Sequence, residues 1–198
     1  ESLMPRPTSR LFGERNAEWW EPRGVAGVIS PWNFPLAIPP GMPVAELVPG
    51  NTVILKPAEQ SPAIAHWLCE VLWRAGVPRE ALQYLPGRGE TIGAALVRDP
   101  RVAVVAFTGS AAVGQDILQG GPGTGRGQIK QVIAEMGGKN AIIVDESADL
   151  DEAVLGVRHS AFSYAGQKCS ACSRVIVLEG VHDLFVARRP EAARALRV

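Results

Sequence analysis

Short apolar strand-like runs alternating with amphipathic segments predict an α/β fold, a parallel sheet covered by helices on both faces. Three observations carry this prediction. The strand candidates at residues 25–29, 52–55 and 102–107 are near-continuous apolar runs, as strands buried on both faces require. Segments of helical periodicity fall between them rather than in a separate block. The unusual segments, the loop at Asn33, the step at 56–59, the step at 108–110 and Glu135, all follow strand candidates. In parallel sheets, ligands collect outside the carboxyl ends of strands.

The elements follow in order. Residues 1–22 are polar and read as a linker or edge hairpin, with Trp19 and Trp20 expected to pack it down. Residues 25–29 form a strand, and Ser30-Pro31-Trp32-Asn33-Phe34-Pro35 is a proline-bracketed loop at its end. A helix interrupted by Pro39, Pro40 and Pro43 is expected to reach Val48. Pro49-Gly50-Asn51 then turns the chain into the β-branched strand at 52–55. Ser61-Pro62 reads as a cap with proline at the first helical position. Ile64, Leu68, Val71, Leu72 and Ala75 mark the apolar face of that helix, and Gly76 stops it. A short strand at 83–85, a turn at 86–89 and a helix at 90–97 come next. The strand at 102–107 ends at Thr108-Gly109-Ser110, before a helix through Leu118 and a glycine-rich loop at 120–127. Strands at 129–133 and 141–144 follow, and Asp149 caps a helix running toward Ala165. A strand at 175–178 leads to a helical tail from His182 that Pro190 is expected to interrupt.

Composition bounds the function. The chain has 198 residues, 46% of them hydrophobic, which suffices for a sizeable core. Twenty basic and twenty acidic residues cancel, giving no support for nucleic acid or an acidic membrane surface as the main partner. Three cysteines, an odd number without framework spacing, suit a reducing compartment. No signal-peptide pattern opens the chain and no apolar run approaches a membrane span, so the expected location is the cytoplasm.

The chemistry concentrates at 165–174, where Cys169 lies between Lys168 and Arg174 at a helix-to-strand junction. Cationic neighbours favour the thiolate, which makes Cys169 a candidate nucleophile; a buried structural cysteine is the alternative. An unperturbed thiol has a pKa of about 8.5, so a carboxylate able to take a proton would help. Glu135, beside Gly137 and Gly138, offers one, and Asn33 offers an uncharged donor suited to an oxyanion. Cys169 and Cys172 also form a CxxC, but no second CxxC or paired histidines accompany it, so no metal is expected. A disulfide between them under oxidation is a minor reading. Cys69 reads as core packing.

Pro31-Trp32-Asn33-Phe34-Pro35, Lys56-Pro57-Ala58-Glu59, Phe107-Thr108-Gly109-Ser110, Glu135-Met136-Gly137-Gly138-Lys139 and Gly166-Gln167-Lys168-Cys169 together resemble the aldehyde dehydrogenase superfamily, in its order and approximate spacing. The resemblance implies a Rossmann-like NAD-binding domain over residues 1–136, incomplete at its start, and the beginning of a second α/β catalytic domain over 137–198. It implies that Cys169 attacks an aldehyde to give a thiohemiacetal, with Asn33 and the Cys169 backbone amide holding the oxyanion. Hydride then passes to NAD, leaving a thioester, and Glu135 activates the water that hydrolyses it. Ser30, Trp32, Lys56, Glu59, Gly109 and Ser110 fall at cofactor-binding positions. A carboxylate at Glu59 accepts bonds from a ribose diol and repels a 2′-phosphate, which favours NAD over NADP. Gly87, Gly89 and Gly93 keep a structural reading.

The substrate reading rests on Gln167-Lys168-Cys169-Ser170-Ala171 and Asn140-Ala141-Ile142-Ile143-Val144-Asp145. These look most like the branch acting on glutamate γ-semialdehyde in proline catabolism, where Ser170 would contact the substrate carboxylate. Full-length members are more than twice as long and associate as homo-oligomers, so this chain reads as a fragment lacking part of the tunnel and cofactor clamp, expected to be weak or inactive unless complemented. The alternatives are a nucleotide-binding module without turnover, or a thiol acyltransferase or esterase using Cys169 and Asn33 alone.

Overall fold

In the computed structural model, residues 5–120, 129–194 and 196 are described. The chain forms two compact units, one within Glu1–Glu135 and one within Met136–Val198. The glycine-rich stretch expected as a loop lies, from residue 121 on, outside the described residues.

The first unit opens with a two-residue antiparallel pair, β1 (Arg6–Pro7) and β2 (Ala17–Glu18). Trp19 and Trp20 do not pack it down; they stay 59% and 70% exposed. The Trp19 indole N–H donates to Glu21 Oε1 at 2.7 Å, which satisfies its polar edge at the surface. The main sheet holds β3 (Val25–Ile29), β4 (Thr52–Lys56), β5 (Leu82–Tyr84), β6 (Val102–Gly109) and β7 (Gln131–Met136), in the order β5-β4-β3-β6-β7. The β3–β4, β3–β6 and β4–β5 pairs are parallel, and Ile29 faces Lys56 on one side and Phe107 on the other.

Helices cover both faces. Ala26, Val28, Val53, Leu55, Val104 and Ala106 point to one, where they pack with Ala65 and Cys69 of α2 (Pro62–Arg74). Gly27, between Ala26 and Val28, points to the other, where α3 (Ala94–Arg98) presses on the sheet. A Cβ at Gly27 would lie 2.9 Å from Leu96 Cγ, so any larger residue here would have to displace Leu96. The strands are legible in sequence because burial on both faces demands uninterrupted apolar residues.

The helices depart from expectation in informative ways. The interrupted helix before residue 48 contracts to α1 (Gly41–Leu47), because Pro39 and Pro40 lack the N–H groups that an earlier start would use. Ser61 makes no side-chain cap bond to α2. The buried face of α2 is Ala65, Leu68 and Cys69, while Val71 is 59% exposed. Small side chains at 65 and 69 let the helix approach the sheet on that side. The expected helix at 90–97 begins as a single π turn (Gly89–Gly93) before α3. The strand expected at 129–133 is displaced to β7, because Lys130 turns inward and donates its ammonium to the carbonyls of Val97 and Asp99 at the end of α3. Glu135 therefore sits inside a strand rather than after one.

One polar residue positions β3. Asn51 is buried, and its Oδ1 accepts from the backbone N–H groups of Arg23 (2.6 Å) and Gly24 (2.9 Å) while its Nδ2 donates to Glu46. Burial raises the Glu46 pKa, partly offset by that bond.

The second unit pairs β8 (Asn140–Val144) with β9 (Cys172–Val177) in parallel and packs them on α5 (Leu150–Phe162) and α6 (Glu179–Arg194). Val144, Val154, Val157 and Phe185 form its core. Asp149 caps α5 as expected, accepting from the N–H groups of Asp151 (3.0 Å) and Glu152 (3.2 Å). Helix α6 runs through position 190, since a proline forfeits a helical bond without obliging the helix to end. No helix among the described residues is long and apolar enough to cross a membrane.

Candidate active site

In the first unit, the sheet order makes β3 the point where connections diverge. The chain leaves β3 for β4 and β5 on one side, and β6 leads to β7 on the other. The crevice outside the carboxyl ends of β3 and β6 is thus a topological switch point. Ser30, Trp32 and Asn33 follow β3, Lys56 and Glu59 end and follow β4, and Gly109 and Ser110 end and follow β6. Ser30 donates its N–H to the Lys56 carbonyl at 3.2 Å. Its hydroxyl is buried without a hydrogen-bond partner among the described residues. Trp32 is exposed and Asn33 half-buried.

Lys56 is 2% exposed, and its ammonium lies 3.4 Å from Glu59 Oε1. The same oxygen accepts the backbone N–H of Gly89, so the turn after β5 clasps the carboxylate. Glu59 is held below the usual carboxylate range, first by its own backbone N–H, then by that of Gly89 and by Lys56, against partial burial. An open cleft of about 400 Å³ lies beside it, lined by Glu59, Gln60, Arg88, Glu90 and Thr91. The neighbouring turn is shaped by Gly87, where a Cβ would come within 3.1 Å of Ile92 Cβ.

At the end of β6 a Cβ on Gly109 would lie 2.5 Å from Phe107 Cζ, so any larger residue there would have to displace the Phe107 ring. Ser110 Oγ accepts from Val113 N at 3.3 Å and its carbonyl from Gly114 N at 3.0 Å, which makes it the N-cap of α4 (Ala111–Gly120). Its hydroxyl is thereby engaged, leaving backbone N–H groups as what this helix start can offer. Glu135 is exposed near the end of β7, next to β6.

In the second unit, the chain from α5 to β9 is built around Cys169. A 3-10 turn (Ser163–Gly166) places Tyr164 and Ala165 in left-handed backbone conformations, at a cost of about 1–3 kcal/mol each. A reverse turn closed by Ala171 N donating to Lys168 O at 3.1 Å then sets Cys169 and Ser170 at its two central positions. Asn140, at the start of β8, donates its side-chain amide to the carbonyls of Cys169 (2.6 Å) and Ala171 (3.3 Å). Gly138 lies against the same place, with a virtual Cβ 3.7 Å from the Cys169 carbonyl. Cys172 N donates to Ser160 Oγ at 3.1 Å, tying the turn to α5.

The three thiols differ sharply. Cys169 is exposed, Cys172 is buried with Sγ donating to the Arg174 carbonyl at 3.1 Å, and Cys69 is fully buried. The two cations invoked for Cys169 have work of their own. Lys168 Nζ donates to Ser163 Oγ at 2.9 Å, and the Arg174 guanidinium donates to the Lys139 carbonyl at 2.6 and 3.1 Å. Two participants escape sequence reasoning. Gly89 acts through its backbone N–H, which no side-chain pattern reveals. Asn140 acts by bridging two carbonyls, a role that its place in the motif opening β8 does not reveal.

The aldehyde dehydrogenase family profile matches residues 6–198. The chain belongs to that family. It is 50% identical over 194 residues to 1-pyrroline-5-carboxylate dehydrogenase of Geobacillus kaustophilus, covering 97% of this chain and 38% of that protein. The 1-pyrroline-5-carboxylate dehydrogenase of Bacillus cereus is 48% identical over 187 residues, covering 93% and 36%. Among solved structures, proline utilization A from Bdellovibrio bacteriovorus, inactivated by N-propargylglycine, superposes with a TM-score of 0.88 at 49% identity, covering 98% of this chain and 20% of that one. The 1-pyrroline-5-carboxylate dehydrogenase from Thermus with bound NAD superposes with a TM-score of 0.85 at 43% identity, covering 96% and 37%. The chain therefore spans less than two fifths of the length of these dehydrogenases. The parallel sheet with helices on both faces is the Rossmann-like architecture that the family resemblance implied.

Proposed function

We propose that this chain is the NAD-binding and nucleophile-bearing part of an aldehyde dehydrogenase that oxidises glutamate γ-semialdehyde to glutamate in proline catabolism. The observation that carries it is the exposed Cys169 at the centre of a turn pinned by Asn140, in a chain half identical to 1-pyrroline-5-carboxylate dehydrogenases. Residues 1–136 serve the dinucleotide, and 137–198 open the catalytic domain of a cytoplasmic protein that is homo-oligomeric at full length.

The residues present fit the dinucleotide. An orphaned buried hydroxyl at Ser30, a clasped anionic carboxylate at Glu59 and a helix start after Gly109 supply the donors and acceptors that a ribose and a pyrophosphate take up. Trp32 walls the crevice. When bound, NAD supplies the hydride acceptor. The chain's own residues do the rest. The Cys169 sulfur adds to the aldehyde carbon, Asn33 and the Cys169 N–H hold the oxyanion, Ser170 receives the substrate carboxylate, and Glu135 takes a proton from the hydrolytic water.

Incubating the protein with NAD and glutamate γ-semialdehyde, while following NADH absorbance, tests the proposal. Weak turnover at most is expected from this chain by itself, rising when the remainder of the enzyme is supplied. With Cys169 present it prefers the semialdehyde over an aliphatic aldehyde of similar length, and it is absent in Cys169→Ala. Indifference between the two aldehydes overturns the substrate. NAD binding without turnover selects a binding module, a reading favoured by the way the dinucleotide residues all lie within the first unit. Ester hydrolysis without NAD binding overturns the cofactor.

A further inference from the structure

We infer that Arg88 is a specificity-determining residue of the dinucleotide cleft, meeting the 2′-phosphate of NADP beside a Glu59 that favours the unphosphorylated ribose. This deepens the NAD-binding reading above and rests on it.

The cleft is lined by Glu59, Gln60, Arg88, Glu90 and Thr91, and among these Arg88 is the one cation. Lys56, the other cation close by, is buried and committed to Glu59 at 3.4 Å, which leaves its charge spent. Glu59 is the group that repels a 2′-phosphate, and the N–H that clasps it belongs to Gly89, the residue directly after Arg88. The guanidinium therefore springs from the same short turn that holds the carboxylate.

The backbone at 88 is fixed while its side chain is not. The Arg88 carbonyl accepts from the N–H groups of Ile92 (2.9 Å) and Gly93 (3.3 Å), opening the π turn. The side chain is exposed, and among the described residues its guanidinium takes part in no hydrogen bond or ion pair. A planar fork of N–H donors matches a phosphate in two-point fashion, which an ammonium cannot reproduce. Glu90 adds a second carboxylate to the lining. A dianionic phosphate thus meets one cation and two anions. The balance favours NAD while leaving NADP a measurable foothold that depends on Arg88.

Isothermal titration calorimetry of the 198-residue chain with NAD and with NADP tests this, using wild type, Arg88→Gln, Glu59→Gln and the double variant. Wild type is expected to bind NAD more tightly. Arg88→Gln raises the ratio of the NADP to the NAD dissociation constant about tenfold, on the scale of a lost charge-assisted bond. Glu59→Gln lowers that ratio, and adding Arg88→Gln to it restores much of the loss. Potassium chloride weakens NADP more than NAD, and the difference shrinks in Arg88→Gln. An unchanged ratio in Arg88→Gln, or an equal loss of both ligands, overturns the assignment while wild-type NAD binding leaves the parent reading standing. Wild type that binds neither dinucleotide overturns both.

Discussion

Cys69, Cys169 and Cys172 show how environment sorts one residue type into three fates. At mild alkaline pH, iodoacetamide is expected to add once to the native chain, at Cys169, with Cys69 and Cys172 labelled only after denaturation. Peptide mass spectrometry reads the outcome, and native labelling of Cys172 would contradict its burial. Cys69 also predicts a pH dependence. Burial, with a smaller contribution from Glu70, pushes its thiol up from 9.0 to about 11. The folded state therefore keeps a proton that the unfolded chain releases. The stabilisation is complete below pH 9.0 and is lost progressively as pH rises to about 11. Two units correspond to roughly 3 kcal/mol at most. Tyr84, also raised by burial and by Cys69, adds to the slope at the upper end. Urea titrations at a series of pH values should therefore show a fall that is shallower, though not absent, in Cys69→Ala. Sequence alone reads Cys69 as core, because it lies in a helical apolar pattern. The Gly89 clasp on Glu59 stays invisible there, because a backbone donor carries no residue signature.

At the scale of elements, the caps and close approaches set the geometry. Asp149 closes the first turn of α5 with two hydrogen bonds, and Asp149→Ala should cost about 1 kcal/mol in urea unfolding, with Asp149→Asn nearly neutral. Gly27 is the contact point of α3 on the sheet, and Gly27→Ala should cost about 1–3 kcal/mol as Leu96 is displaced. Leu96→Ala should cost less in the Gly27→Ala background than in wild type, since it opens the space the new methyl needs, and a double-mutant cycle reads that coupling. The Asp149 cap is legible in sequence, as a local pattern satisfied by local geometry. The Gly27 contact is not, because its partner lies 69 residues further on. The same distinction explains α2, where every apolar residue at helical spacing looks equivalent until the sheet selects Ala65 and Cys69 over Val71. It also explains β7, which shifts toward Glu135 because Lys130 is recruited by carbonyls at the end of α3.

At the scale of the whole molecule, each unit has a core of its own. The first unit's is built from four strands and α2, and the second's from Val144, Val154, Val157 and Phe185. All five tryptophans, at 19, 20, 32, 67 and 73, fall in the first unit. Tryptophan fluorescence thus reports one unit, while far-ultraviolet circular dichroism reports helices in both. Phe185 is 1% exposed and is the largest side chain of the second core, so Phe185→Ala should cost about 3–5 kcal/mol there. A unit of that size has little margin against such a loss. The variant should lose helical signal from α5 and α6 at low denaturant while its fluorescence transition keeps the wild-type midpoint. If both probes shift together, the two units unfold as one cooperative body and the stability of each no longer rests on its own core. The consequence reaches the chemistry. A chain whose second unit has melted should still bind NAD through Lys56 and Glu59, and should fail wherever Cys169 must be held in its turn.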